Sequence, residues 1–170
     1  MTVSTELLTD AFGRIADIVR STVRGLDADT LGARIDPDAN SIAWLVWHLT
    51  RVQDDHVSEV AGREQAWTED GWSARFGLPF SDADTGYGHS SDEVAALGSA
   101  RAEDLIGYHQ AVHDRTVAYL ETLGDDDLGR VVDRSWDPPV TLGVRLVSVI
   151  SDDLQHAGQA SYVKGVLERR

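Results

Sequence analysis

Leu8, Ala11, Phe12, Ile15, Val19 and Val23 recur at the three- and four-residue intervals that gather side chains on one face of an α-helix. They predict a first amphipathic helix, capped at Ser4 and stopped by Gly25. Residues 26–39, with Gly32, Pro37 and several aspartates, read as a connector. A second helix follows from Asn40 or Ser41, carries Ile42, Leu45, Leu49, Val52 and Val60 inward, and ends near Gly62. Between Arg63 and Ser90 the periodicity disappears, and Trp67, Trp72, Phe80 and scattered glycines stand among acidic residues. So long an excursion is expected to be a lid or a pocket wall. Ser90 and Glu93 have capping-box spacing for a short helix to Leu97, and Ser99 is expected to start a third long helix through Leu105, Ile106, Val112, Val117 and Leu120 to Gly124. Residues 125–140, with Trp136, Pro138 and Pro139, read as a crossover loop. From Thr141 the last stripe runs through Leu146, Val149, Ile150, His156, Ala157, Ala160, Val163 and Leu167.

No strand pattern competes with these stripes. They predict an all-α four-helix bundle with a long crossover connection between the second and third helices, as a single domain over residues 1–170. That length suits one domain with a sizeable core.

Charge and cysteine usage narrow the chemistry. Fifteen basic against twenty-nine acidic residues give a net charge of -14, which opposes binding to nucleic acid or to an anionic membrane surface. Neither a leader-like start nor a membrane-length apolar run is evident, so the expected location is cytoplasmic. The absence of cysteine excludes a disulfide framework, a cysteine-ligated metal and a cysteine nucleophile. Any thiol chemistry must use an external thiol.

Three residues stand out. His48 lies within the inward stripe of the second helix, among Leu45, Leu49 and Val52. By itself such a residue is commonly a core histidine donating to a backbone carbonyl. Asp152 and His156 on the last helix are four residues apart and share a face. With His48 they would offer two nitrogens and one oxygen around an open position, a donor set suited to catalytic zinc and also to nickel, iron or manganese. Asp153 competes with Asp152 on spacing alone, as a ligand or as an acceptor that holds the histidine. His109 and His113 form a second one-turn pair without the glutamate of an HExxH motif, and surface or packing roles are expected of them. Trp44 and Trp47 bracket His48 and read first as core or interface packing, while Trp136 reads as a pocket cover.

The segments Asn40-Ser41-Ile42-Ala43-Trp44-Leu45-Val46-Trp47-His48-Leu49 and Asp152-Asp153-Leu154-Gln155-His156-Ala157-Gly158-Gln159 give the chain its resemblance to the DinB/YfiT-like metalloenzyme superfamily, especially the mycothiol-dependent branch. The resemblance implies a four-helix bundle with a divalent metal, zinc or nickel, on His48, Asp152 and His156. It favours Asp152 over Asp153, although many members carry His or Glu at that position. It further implies an S-transferase that uses mycothiol or a related low-molecular-weight thiol and a small electrophile, and a homodimer. Metal-dependent hydrolysis, mycothiol-dependent isomerisation and a non-catalytic helical interaction protein are the alternatives. Arg51, Gln155 and the arginines of the long connection are the expected polar contacts to the thiol.

Overall fold

The computed structural model describes residues 2–170. In chain order it contains α1 (Val3–Val23), α2 (Ala28–Gly32), α3 (Ile42–Ala61), α4 (Ala66–Glu69), α5 (Trp72–Phe76), α6 (Ser91–Ala95), α7 (Ala102–Leu120) and α8 (Leu142–Leu167). Two 3₁₀ turns lie at Ala96–Ser99 and Asp125–Gly129, and a short antiparallel pair, β1 (Val131–Asp133) and β2 (Val140–Thr141), precedes α8. The long helices α1, α3, α7 and α8 form the expected four-helix bundle, in which α3 packs on α8 and α7, and α1 closes the ring against the same two helices. Their apolar stripes meet in one core: Phe12 and Ile15 of α1, Leu45 and Leu49 of α3, Leu105 and Val112 of α7, and Leu146 and Val149 of α8 are all buried. No described helix is long and apolar enough to cross a membrane.

The caps explain where the bundle helices begin. Ser41 accepts a hydrogen bond from the Trp44 amide, Thr141 from the Val144 amide, and Ser90 and Glu93 form the expected capping box. Two expected starts are corrected. Thr2, not Ser4, caps α1, because Thr2 and Thr5 satisfy each other's backbone amides and leave Ser4 inside the first turn. Ser99 closes a 3₁₀ turn, the chain is extended at Ala100, and α7 begins only after Arg101.

The connections hold more order than their composition suggests. Asp54 of α3 accepts from the amides of Ala66 and Trp67 at 3.0 and 2.8 Å, so a carboxylate distant in sequence supplies the cap that α4 lacks locally. The crossover before α8 also holds a short strand pair within the otherwise all-α fold. Val131 pairs with Thr141 and Asp133 with Val140 across residues 134–139. Strands this short show no period-two pattern.

His109 and His113 take packing roles. His109 is buried, its Nε2 has no hydrogen-bond partner, and burial, followed by the charges of His113 and Arg20, pushes its imidazole down to about 3. Its pKa is depressed on folding, so between its ordinary value of 6.5 and about 3 the unfolded chain binds the extra proton. Stability therefore falls as pH drops through that window, by up to about 1.4 kcal/mol per pH unit from this group. Measured by urea denaturation, His109→Asn is expected to gain stability over the parent as pH falls from about 7 to about 4.

Candidate metal centre and its groove

Helices α3 and α8 run antiparallel, which brings His48 opposite Asp152 and His156. One ligating atom from each of the three lies within 4.8 Å of the others, and no other such group of histidines and carboxylates occurs among the described residues. The His48 and His156 rings meet edge to face with centroids 4.8 Å apart. His156 Nε2 stands 3.6 Å from Asp152 Oδ1.

Both histidines are oriented through their other nitrogen. His48 Nδ1 donates to the carbonyl of Thr85, and His156 Nδ1 donates to Gln159 Oε1 at 2.9 Å. Each ring thereby keeps its Nε2 lone pair free, the arrangement by which outer partners orient metal-ligating histidines. Burial holds the His48 imidazole below its ordinary pKa, which favours the neutral form a ligand requires. Asp152 Oδ2 is buried with no hydrogen-bond partner. Two free imidazole nitrogens and an unsatisfied carboxylate oxygen fit a divalent cation well.

Asp153 is elsewhere. It is fully buried between the helices, both of its oxygens lack partners, and burial, with the Asp152 charge as a lesser cause, raises its pKa well above the ordinary carboxylate range. One helical step separates a carboxylate at the histidine pair from one in the core.

The long connection builds the wall over His48. Trp44 stacks on the His48 ring at 4.6 Å between centroids, and its Nε1 donates to His89 Nδ1 at 3.1 Å. His89 Nε2 in turn donates to Asp84 Oδ1. Trp44 and Trp47 are thus core residues that also line the histidine's surroundings. Beneath this layer, Arg51 donates to the carbonyls of Asp84 and Asp82 at 3.1 and 3.0 Å and to Gln65 Oε1 at 2.7 Å. It also lies 3.7 Å from Asp54, whose Oδ2 accepts from the Tyr108 hydroxyl. The expected thiol contact at Arg51 is therefore corrected: its guanidinium is fully buried and ties the connection down. Gln155 is corrected as well, because it bonds back to Ser151 on the exposed face of α8.

Gly86 sits where the connection touches the site. Its φ is +93°, and a Cβ there would lie 2.9 Å from Trp47 and 3.0 Å from His48 Nδ1. Only glycine combines that backbone conformation with that approach. Thr85 and His89 carry no local sequence signal; Gly86 and Gly88, among the glycines of the non-periodic connection, are the signal nearest to them.

A groove of about 1000 Å³ opens from His48 and Asp152 and runs between α3 and α8. Val52, His56 and Glu59 line it from α3, Arg145 and Ser148 from α8, and Tyr87 and Trp136 from the connections. Trp136, expected as a pocket cover, lies exposed at the rim of this groove.

A four-helix bundle carrying this cluster between its second and fourth long helices is the architecture of the DinB/YfiT-like metalloenzyme superfamily. Within it the chain belongs to the mycothiol-S-transferase family, whose model matches residues 7–168. The structure is also similar to the crystal structure of a conserved protein from Enterococcus faecalis, with a TM-score of 0.91 and 29% identity over 100% of this chain and 99% of that one. No curated protein matches the chain.

Two sets of variants test the local reading. Gly86→Ala is expected to destabilise the protein by about 2 kcal/mol more than Gly88→Ala, measured by urea denaturation, because both glycines have positive φ but only Gly86 meets neighbours. The raised pKa of Asp153 means that the folded chain holds a proton that the unfolded chain releases above its ordinary 3.8, so stability is lost as pH rises from there. Asp153→Asn is therefore expected to gain stability over the parent as pH climbs from about 4 to 8, with bound metal unchanged, whereas Asp152→Ala is expected to lose the metal.

Proposed function

We propose that the protein transfers mycothiol, or a related low-molecular-weight thiol, to a small electrophile in a reaction that depends on a divalent metal. The observation that carries this reading is the convergence of His48, Asp152 and His156 at one end of an open groove. Family membership supports the thiol, and the absence of cysteine requires the sulfur nucleophile to come from the cosubstrate.

His48, Asp152 and His156 would hold the cation, and the mixed nitrogen and oxygen donor set suits zinc first and nickel next. When bound, such a cation favours the thiolate of a thiol at its open position. The chain's own part is positional. The Thr85 carbonyl and Gln159 keep the two imidazoles in the ligating tautomer, and Trp44, packed over His48, keeps water from that side of the ring. The groove between α3 and α8 holds the remainder of the two substrates in line with the cluster.

Metal-loaded protein given mycothiol and a haloalkyl bimane is expected to consume both in equal amounts and to yield the thioether. His48→Ala is expected to lower metal occupancy and to slow the reaction by more than about 100-fold, while His109→Asn leaves both close to the parent. Equal rates before and after metal removal would sink the mechanism, and a hydrolysed acceptor with thiol untouched would replace transfer by hydrolysis.

A further inference from the structure

Most charged side chains along the groove already have partners. Arg145, largely buried, donates to His56 Nδ1 at 2.8 Å and to Glu59 and Asp133, each at 3.2 Å. Asp55 accepts from Gln65 at 2.7 Å. Two donors, one on the groove face of α3 and one just past its end, are left over. The first is His56 Nε2. Arginine can only donate, so Nδ1 is the acceptor in the Arg145 contact and the ring proton must sit on Nε2, for which the described residues supply no hydrogen-bond acceptor. The second is Arg63. Its Nε is buried without a partner among the described residues; its sequence neighbour Glu64 makes no ion pair with it, and Glu69 and Asp70 are held by Arg115 at 2.8 and 2.6 Å. Burial and the Arg115 charge disfavour its cation by more than Asp54 and Glu69 support it.

His48, Val52, His56 and Glu59 lie on one line of α3, and Arg63 follows the left-handed Gly62 that ends the helix; all five line the groove. By helical rise the C-terminal end of α3, which Arg63 follows, lies about 20 Å along the axis from His48. Trp136 and Tyr87, 66% and 94% exposed, present aromatic surface at the rim of the same groove.

We propose that Arg63 anchors a carboxylate at the distal end of the groove, so that the electrophile accepted there is an elongated monocarboxylic acid with a planar apolar body. This rests on the thiol-transfer reading only for the word electrophile. A guanidinium meets a carboxylate through two parallel hydrogen bonds. The choice of a monoanion follows from the surroundings: one unpaired cation stands among Asp55, Glu59, Glu64 and Asp133, which would repel a phosphate dianion or a dicarboxylate. His56 Nε2 supplies a donor between the anchor and the cluster, for a carbonyl or ether oxygen of the bound molecule. The aromatic rim covers the planar body.

Binding tests this without turnover. Dansylglycine carries a planar body and one carboxylate, and dansylglycinamide is its neutral counterpart. Titrated by dansyl fluorescence into the full chain, metal-loaded and metal-stripped and with no thiol present, the acid is expected to bind at least about tenfold more tightly than the amide. Arg63→Gln is expected to abolish that ratio and Arg63→Lys to keep part of it, with unfolding curves showing all three proteins folded. Inorganic phosphate is expected not to displace the acid. Equal binding of acid and amide by the parent, an unchanged ratio in Arg63→Gln, or a ratio that vanishes with the metal would each overturn the proposal. None of these results depends on whether thiol is transferred, so failure here and failure of the transferase reading are read separately.

Discussion

The hydrogen bond between His48 Nδ1 and the Thr85 carbonyl is the constraint on which the site depends. A histidine in the inward stripe of a bundle helix must satisfy one ring nitrogen or bear the cost of leaving it unpaired. Here the acceptor comes from the long connection, so that connection has to be ordered before the imidazole is. Arg51, on the same helix and one turn further on, does the ordering by donating to the Asp82 and Asp84 carbonyls from a fully buried position. His89 and Trp44 join the loop to the helix from above. A core histidine bonded to a carbonyl and a metal-ready histidine are therefore not competing descriptions of His48; the first makes the second possible.

The buried polar groups fall into two kinds, and the difference tracks their use. Arg51, Asp54 and Tyr108 form a network in which each charge has several partners, and it fastens α3, α4 and α7 to the connection. Asp153 and His109 are buried with unsatisfied atoms, and in both burial acts against the charged form. These two weaken the bundle, while Asp152, adjacent to Asp153, carries its unsatisfied oxygen at the histidine cluster. Along the groove the same distinction separates Arg145, which is paired and fixes the His56 tautomer, from Arg63, which is not.

The groove shares the acidity of the whole protein, but pairing decides which of its groups are free. A net charge of -14 sets the long-range field. Local pairing decides what a ligand meets at contact. With Glu59 and Asp133 held by Arg145 and Asp55 by Gln65, three of the groove's acids are engaged, while His56 Nε2 and Arg63 stand as donors.

Much of the architecture was legible from periodicity, because a bundle helix must bury one face and its apolar residues therefore repeat every three to four positions. The four stripes, the caps at Ser41, Ser90 and Thr141, and the shared face of Asp152 and His156 all follow from rules that act within a few residues. The family resemblance, carried by the two segments around His48 and His156, added the choice of Asp152 over Asp153. What the chain could not disclose by itself involves partners distant in sequence. Asp54 caps α4 from a different helix, Thr85 holds a histidine 37 residues before it, and Arg145 sets the tautomer of one 89 residues before it. Arg51, whose charge and position on an amphipathic helix suggest a pocket contact, is instead enclosed by backbone carbonyls that only the folded connection brings to it. Local patterns determine which faces are apolar, whereas the satisfaction of each buried polar atom depends on geometry that exists only once the helices have packed.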